Sequence, residues 1–172
     1  LNSFKSEPFI YSQYESSYFF ALNNRYIALK NPIRFSEDGR DRNHKIDLNF
    51  GIESNGGALI EVTERTGIDY KRKRPFGDLI IYLEDGSTIV CYDRKLYDKI
   101  NDYYVTYYRV TPKEVNRLKN LDIQAIQVKL HDLQNYPYTK RDKVIIEPEK
   151  KDSQLVYFSS SWINLLYRNY YN

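Results

Sequence analysis

The chain has 172 residues, a length typical of one domain, and its 41% hydrophobic and 16% aromatic residues exclude a disordered polypeptide. Lys and Arg number 26 against 23 acidic residues, so the net charge of +3 excludes a strongly basic field of the kind that nucleic-acid-binding domains carry. The single cysteine, Cys91, cannot form an internal disulfide, and no stretch approaches the roughly 18 apolar residues of a transmembrane helix. We therefore expect one domain over residues 1–172, without a membrane span.

The beginning of the chain bears on its location. The sequence contains no Met and starts Leu1-Asn2-Ser3-Phe4. A removed signal peptide or lipoprotein anchor would leave such a start, and so would a trimmed chain. We expect export to the periplasm or the cell surface in preference to the cytoplasm.

The first half of the chain is predicted to consist of strands. Two aromatic stretches, Ser17–Leu22 and Arg25–Lys30, flank Asn23-Asn24, which suits a turn because Asn tolerates positive φ. The polar segment Ser36–Lys45 is predicted as a loop. Apolar residues then occupy every second position, which indicates a strand with one buried face: Ile46, Leu48, Phe50 and Ile52. Ala58–Arg65 is predicted to return after a turn at Asn55-Gly56-Gly57, and the basic stretch Gly67 to Gly77 to form a loop.

Asp85-Gly86 is the dipeptide favoured in two-residue hairpins of type I′. It is predicted to join the strands Asp78–Glu84 and Ser87–Tyr92. A two-residue loop sets Leu79 opposite Tyr92, and apolar side chains then occupy both faces of the hairpin. We therefore expect it to be covered on both sides, near the middle of the fold.

The second half mixes strands with two helices. Tyr103–Val110 is predicted as a strand, followed by a helix to about Asn120 with Thr111 as N-cap, Pro112 at its first position and Glu114 completing a capping box. Further strands are predicted around Ile126, Val128 and Leu130 and at Val144–Glu147, with a loop at Tyr136–Arg141 between them. A helix from about Ser153 is expected to dock through Leu155, Phe158, Trp162, Leu165 and Leu166. This order predicts an α+β fold, a mostly antiparallel sheet with a short helix after a strand and a C-terminal helix packed on one face.

One part of this layout resembles a known kind of domain. Its residues are the hairpin Leu79–Ser87, the strand Tyr103–Val110, the stretch Thr111–Leu118 and the run Ile123–Val128. Together they resemble uncharacterised small α+β domains of exported Bacteroidota proteins, over about residues 78–130. The resemblance includes no catalytic motif, and it implies an accessory or interaction domain.

Two groups of side chains are predicted to bind a ligand. One is an exposed aromatic patch, because exposed aromatic clusters tend to mark contact surfaces. The other is a basic run that could hold phosphates, or could simply be a solvated loop. They comprise Tyr107, Tyr108, Tyr136 and Tyr138, and Lys71, Arg72, Lys73 and Arg74. These residues predict a binding or interaction module without a cofactor, whose partner is another protein or a glycan, with nucleic acid less favoured.

The alternative hypothesis is a metal-dependent nuclease. Asp78 and Asp93-Arg94-Lys95 resemble the core of the PD-(D/E)xK nucleases, although Phe76-Gly77 separates Pro75 from Asp78. In the predicted hairpin Asp78 faces Asp93, and Lys95 returns to the same face. Two close carboxylates repel, which a Mg²⁺ ion would relieve. The competing interpretation is that charged residues merely mark the end of the hairpin. Cys91 is expected to be a buried hydrophobic side chain.

Overall fold

The computed structural model describes residues 16–37, 44–65, 73–132, 142–148 and 159–171. Within these ranges eleven strands form one sheet in which every pairing is antiparallel, and two helices accompany it. The expectation of a mostly antiparallel sheet with a helix after a strand and a C-terminal helix is confirmed. Of the predicted loops, most of Ser36–Lys45 and all of Tyr136–Arg141 lie outside the described residues.

The strands are numbered in chain order. They are β1 (Ser16–Ala21), β2 (Asn24–Leu29), β3 (Ile33–Glu37), β4 (Lys45–Ile52), β5 (Ala58–Glu64), β6 (Lys73–Leu83), β7 (Thr88–Cys91), β8 (Leu96–Ile100), β9 (Tyr103–Val110), β10 (Ile123–Asp132) and β11 (Asp142–Pro148). The helices are α1 (Pro112–Asn120) and α2 (Ser159–Tyr171). Lys73 to Gly77, expected in a loop, therefore belong to β6.

The sheet is curled. Its strands follow the order β7-β6-β10-β11-β3-β4-β5-β9-β8, and β2 pairs with both β1 and β4. The curl brings β6 back against β9, where the Thr106 hydroxyl donates to the Pro75 carbonyl and the Tyr108 hydroxyl donates to the Gly77 carbonyl at 2.7 Å. Gly77 adopts a φ of 68° at an irregularity in the β6–β10 register. Side chains of β9, rather than a backbone ladder, thus hold the two strands together.

The inner face of the curled sheet carries the main core. Alternate residues of the strands point inward, so the predicted stripe of Ile46, Leu48, Phe50 and Ile52 is buried. Ile126, Val128 and Leu130 are buried as predicted. The two helices add to this cluster through Val115 and Leu118 of α1 and Ile163, Leu166 and Tyr167 of α2.

The turn of the β1–β2 hairpin and the register of the β6–β7 hairpin each differ by one residue from the prediction. In the first, the turn residues are Leu22 and Asn23, with φ of 50° and 63°, so Ala21 pairs with Asn24. In the second, Leu79 pairs with Cys91, because the loop spans three residues and only its last, Gly86, has positive φ. Three-residue loops of this kind use a Gly in the left-handed region just as type I′ turns do, so the dipeptide suits both.

The shift by one residue reassigns the faces of the β6–β7 hairpin. The buried face gathers Leu79, Ile81, Leu83, Ile89 and Cys91, whereas Val90 and Tyr92 are exposed on the other face. Strand β7 lies at one end of the strand order rather than in the middle of the fold. The expectation that this hairpin is covered on both faces is therefore wrong.

Helix α1 begins where its capping residues predict. The predicted capping box is confirmed: Glu114 N–H donates to the Thr111 side chain, and the Thr111 N–H donates to the Glu114 carboxylate. Helix α2 starts at Ser159, and Leu155 and Phe158 lie outside the described residues. Its docked face is rotated from the prediction, since Ile163, Leu166 and Tyr167 are buried while Trp162 and Leu165 are half-buried.

Candidate functional site

The outer face of the sheet, opposite the main core, carries a second packing layer. The β1–β2 hairpin lies across β4, β5 and β9, where the Phe19 ring stacks on Tyr26 and Tyr107 at centroid distances of 5.5 and 6.4 Å. Gly51 permits this approach, because a Cβ there would lie 2.7 Å from both Phe19 Cζ and Tyr26 Cβ. The hairpin covers only part of the outer face.

Beside the hairpin lies a groove with a volume of about 490 Å³, which we name the outer-face groove. Its floor consists of residues that β4, β5 and β9 direct to the outer face: Asp47, Asn49, Glu61, Thr63 and Val105. Its walls are Phe19, Phe20 and Pro32 on one side and Ile100, Asn101 and Tyr103 on the other, with Arg65 at one end. The groove therefore has a polar floor between largely apolar walls.

Asp47 and Arg65 form a fixed pair at one end of the groove. Arg65 Nη1 donates to Asp47 Oδ2 at 3.1 Å, and Arg34 Nε lies 3.6 Å from Asp47 Oδ1. The Arg65 guanidinium also lies over the Tyr103 ring, 5.3 Å from its centroid. The Asp47 carboxylate raises the pKa of Arg65 against the opposing effect of desolvation, which is the largest influence on that group. Neither charge of this pair is left uncompensated.

Asn49 and Glu61 lie opposite each other on adjacent strands in the centre of the floor. Asn49 Oδ1 is buried and accepts no hydrogen bond from the described part of the chain. Burial is the main cause that raises the pKa of Glu61 from 4.5 to about 7, the neighbouring Tyr107 hydroxyl opposes this rise, and the charge of Asp98 adds to it. The centre of the floor thus combines an unsatisfied acceptor with a carboxyl group that changes charge near neutral pH.

The two described residues of the predicted aromatic patch, Tyr107 and Tyr108, are buried. Tyr107 is 1% exposed and Tyr108 is 0% exposed, so the expectation that both rings face solvent is wrong. Tyr107 packs beneath the β1–β2 hairpin, and Tyr108 belongs to the inner core. Tyr136 and Tyr138 lie outside the described residues. The exposed aromatic side chains of the N-terminal hairpin are instead Tyr18 and Phe20, stacked edge to face at 5.5 Å.

The predicted basic run is only partly described, since Lys71 and Arg72 lie outside the described residues. Lys73 and Arg74 begin β6 and are half-buried, whereas the prediction placed them in a loop. Arg74 lies over the rings of Tyr97 and Tyr104, at 4.5 and 5.3 Å. Lys73 Nζ lies 2.8 Å from His44 Nε2. The Arg74 guanidinium of β6 therefore packs against aromatic rings of β8 and β9.

The geometry on which the nuclease hypothesis depended is absent from the β6–β7 hairpin. Because Leu79 pairs with Cys91, extending the ladder sets Asp78 opposite Tyr92 and not opposite Asp93. The Asp93 carboxylate instead accepts from the Gly77 N–H at 2.9 Å and the Lys95 N–H at 2.8 Å. Asp78 Oδ1 accepts from the Asp93 N–H at 2.9 Å. The prediction that the two carboxylates face each other is wrong. Both carboxylates instead accept hydrogen bonds from backbone N–H groups.

Lys95 and Cys91 also take structural positions. Lys95 has a φ of 57° in the turn before β8, and its side chain is exposed. Cys91 is buried as expected, and desolvation raises the pKa of its thiol to about 12, which keeps it protonated. Across the described ranges, no three His, Cys, Asp or Glu side chains gather as a metal site would require.

Sequence reasoning missed the outer-face groove. The signal was present, because Asp47 and Asn49 alternate with the buried stripe of β4, and Glu61 and Thr63 do the same on β5. Such alternation ordinarily marks a solvated face, and only the β1–β2 hairpin and the β8–β9 turn convert it into a groove. Neither described helix is long and apolar enough to cross a membrane. Comparison with models of protein families, with characterised proteins and with solved structures found no match.

Proposed function

We propose that this protein is a binding module and that the outer-face groove is its ligand site. The observation that carries the proposal is the floor of the groove, where buried Asn49 Oδ1 accepts no hydrogen bond from a described residue and Glu61 has a raised pKa. A buried polar atom without a hydrogen-bond partner lowers the stability of the fold. Its presence here supports a site in which a ligand supplies the missing hydrogen bond. The partner is another protein or a glycan, whose inserted group supplies a hydrogen-bond donor.

The walls support the same proposal. Phe20 is 65% exposed at the rim of the groove, and Ile100 stands exposed on the opposite wall. Apolar side chains that stay exposed beside converging polar groups are typical of sites that hold a ligand by contact and orient it by hydrogen bonds. Tyr103 adds an aromatic ring held in place by Arg65.

A peptide library and a glycan array, both probed with the folded protein, test this proposal. We expect binders in one of the two, and we expect Asn49→Leu and Phe20→Ala to lose them. Tyr92→Ala is the matched control, because Tyr92 is an equally exposed aromatic residue, 67% exposed, that does not line the groove. Binding that survives both groove variants, or that only the control removes, would place the ligand site elsewhere and refute the proposal.

A further inference from the structure

We propose that the outer-face groove receives an alkylammonium group, the side chain of a lysine on a protein partner. This inference rests on the proposed function of the groove as a ligand site. It follows from the balance of donors and acceptors in the floor, from the local charge and from the shape of the walls.

The centre of the floor is rich in acceptors. Asn49 Oδ1 accepts no hydrogen bond from the described residues, and Glu61 is its partner on the adjacent strand. Thr63, two residues beyond Glu61 on β5, adds a hydroxyl oxygen to the same face. The Arg65 guanidinium at the end of the groove donates a hydrogen bond to Asp47 and lies over the Tyr103 ring. An ammonium group has three N–H donors and no acceptor, and therefore complements such a floor.

The charges that face Glu61 favour a cation. Desolvation is the main cause of the raised pKa of its carboxyl, the neutral Tyr107 hydroxyl of β9 lowers that pKa, and the negative charge of Asp98 on β8 raises it. At one end Asp47 is shared by Arg65 and Arg34, and on β9 Arg109 is bound to Glu53 at 2.7 Å. These three guanidinium groups are thus already paired with other carboxylates, and none of them forms an ion pair with Glu61 among the described residues.

The walls fit the stem of a lysine. Phe20 and Pro32 on one side and Ile100 on the other offer apolar surface above the polar floor. Lys side chains bury their methylene stem along apolar surface while the ammonium reaches a polar partner. The exposed Phe20 ring can also attract the cation through its face. A sugar would find the same acceptors, but it carries no charge to complement Glu61.

The proposal is tested on the intact protein with two matched small probes. Nα-acetyl-lysine N-methylamide presents the ammonium, and Nα-acetyl-norleucine N-methylamide presents the same stem without it. In two-dimensional NMR titrations we expect the lysine probe alone to shift the backbone amides of Asn49, Glu61 and Thr63. Because the cation binds the ionised carboxylate, the apparent affinity should be about tenfold weaker at pH 6 than at pH 8. Calorimetry in buffers of different ionisation enthalpy should show proton release at pH 6.

Two variants test whether binding of the lysine probe depends on Glu61. Glu61→Gln should weaken binding of the lysine probe at pH 8 at least tenfold and abolish its pH dependence, while Tyr92→Ala should change neither. Equal binding of the norleucine probe, pH-independent binding, or no shift at the highest soluble concentration would each overturn the inference. A neutral glycan that shifts the same groove amides would also overturn it while supporting the groove as a ligand site. Ligands that bind only outside the groove would refute both.

Discussion

At the scale of one residue, Glu61 shows how the groove lowers the stability of the folded protein. Its carboxyl group is desolvated in the floor and lies near the negative charge of Asp98, so its pKa rises from 4.5 to about 7. The unfolded chain would ionise this group near pH 4.5. Between these values the folded state binds more protons than the unfolded state, and stability must therefore fall as pH rises.

We expect the free energy of unfolding to decline from about pH 4.5 to about pH 7 through this residue, by at most about 3 kcal/mol at pH 8. Glu61→Gln keeps the shape and removes the ionisation. The variant should therefore match the wild type at pH 4.5 and be more stable at pH 8. Urea unfolding at both pH values measures the difference. A pH profile that the substitution leaves unchanged would contradict the shifted pKa.

Asp93 acts at the scale of elements, because one carboxylate joins two strands and a turn. It accepts from Gly77 on β6, from Lys95 in the turn before β8 and from the Tyr97 hydroxyl on β8, the last at 3.1 Å. Asp93→Ala leaves these donors without their acceptor, and we expect a loss of about 1–3 kcal/mol in unfolding free energy.

Asp78→Ala is the control for Asp93→Ala. Asp78 is exposed and accepts a single described bond, from the Asp93 N–H, so its loss should cost about 1 kcal/mol or less. Thermal melts of both variants, with and without Mg²⁺, compare the structural role with the metal hypothesis. Equal melting temperatures for the two variants would argue against the role assigned to Asp93.

The docking of α2 is tested by two neighbouring leucines. Leu166 is buried against the core at 1% exposure, whereas Leu165 is half-buried on the side of the helix. Leu166→Ala should cost about 2–5 kcal/mol, as core leucine truncations do, and Leu165→Ala clearly less. Urea unfolding of the pair would reveal the docked face. A larger loss at Leu165 would contradict docking through the face that carries Ile163, Leu166 and Tyr167.

Local chemistry explains which elements the sequence predicted. Helix α1 follows from Thr111, Pro112 and Glu114, whose capping role acts within one turn of the chain. The buried stripe of β4 follows from alternation alone. The registers of the two hairpins did not follow. Asp85-Gly86 serves a two-residue and a three-residue loop equally well, and the choice between them reverses the strand faces.

At the scale of the whole molecule, the curl determines what sequence reasoning could not supply. Tyr107 and Tyr108 are adjacent in a tyrosine-rich strand, and the sequence alone does not show that the hairpin covers one ring and the curled sheet the other. The groove also depends on non-local pairings, since its floor joins β4, β5 and β9. Composition favoured a contact surface at the tyrosines, and the structure places exposed aromatic rings on β1 instead.

The curl itself depends on side chains of β9, and this can be measured. The Tyr108 hydroxyl donates to the Gly77 carbonyl, and desolvation raises its pKa far above the ordinary value. Tyr108→Phe removes that bond and keeps the ring, so we expect a loss of about 0.5–1.5 kcal/mol. Tyr92→Phe, at an exposed site, should have no effect on the denaturation midpoint. An unchanged midpoint in both variants would show that the hydroxyl does not hold β6 against β9.

The pairing of β3 with β11 has a consequence for the order in which the chain assembles. Within the described residues this ladder has three pairs, Ile146 with Glu37, Glu147 with Ser36 and Pro148 with Phe35, yet each joins positions more than a hundred residues apart. The β6–β7, β4–β5 and β8–β9 hairpins close short loops and can form early. Bringing β3 to β11 closes a far longer loop for few contacts, so this ladder should form last and limit refolding to the slow range of about milliseconds to seconds.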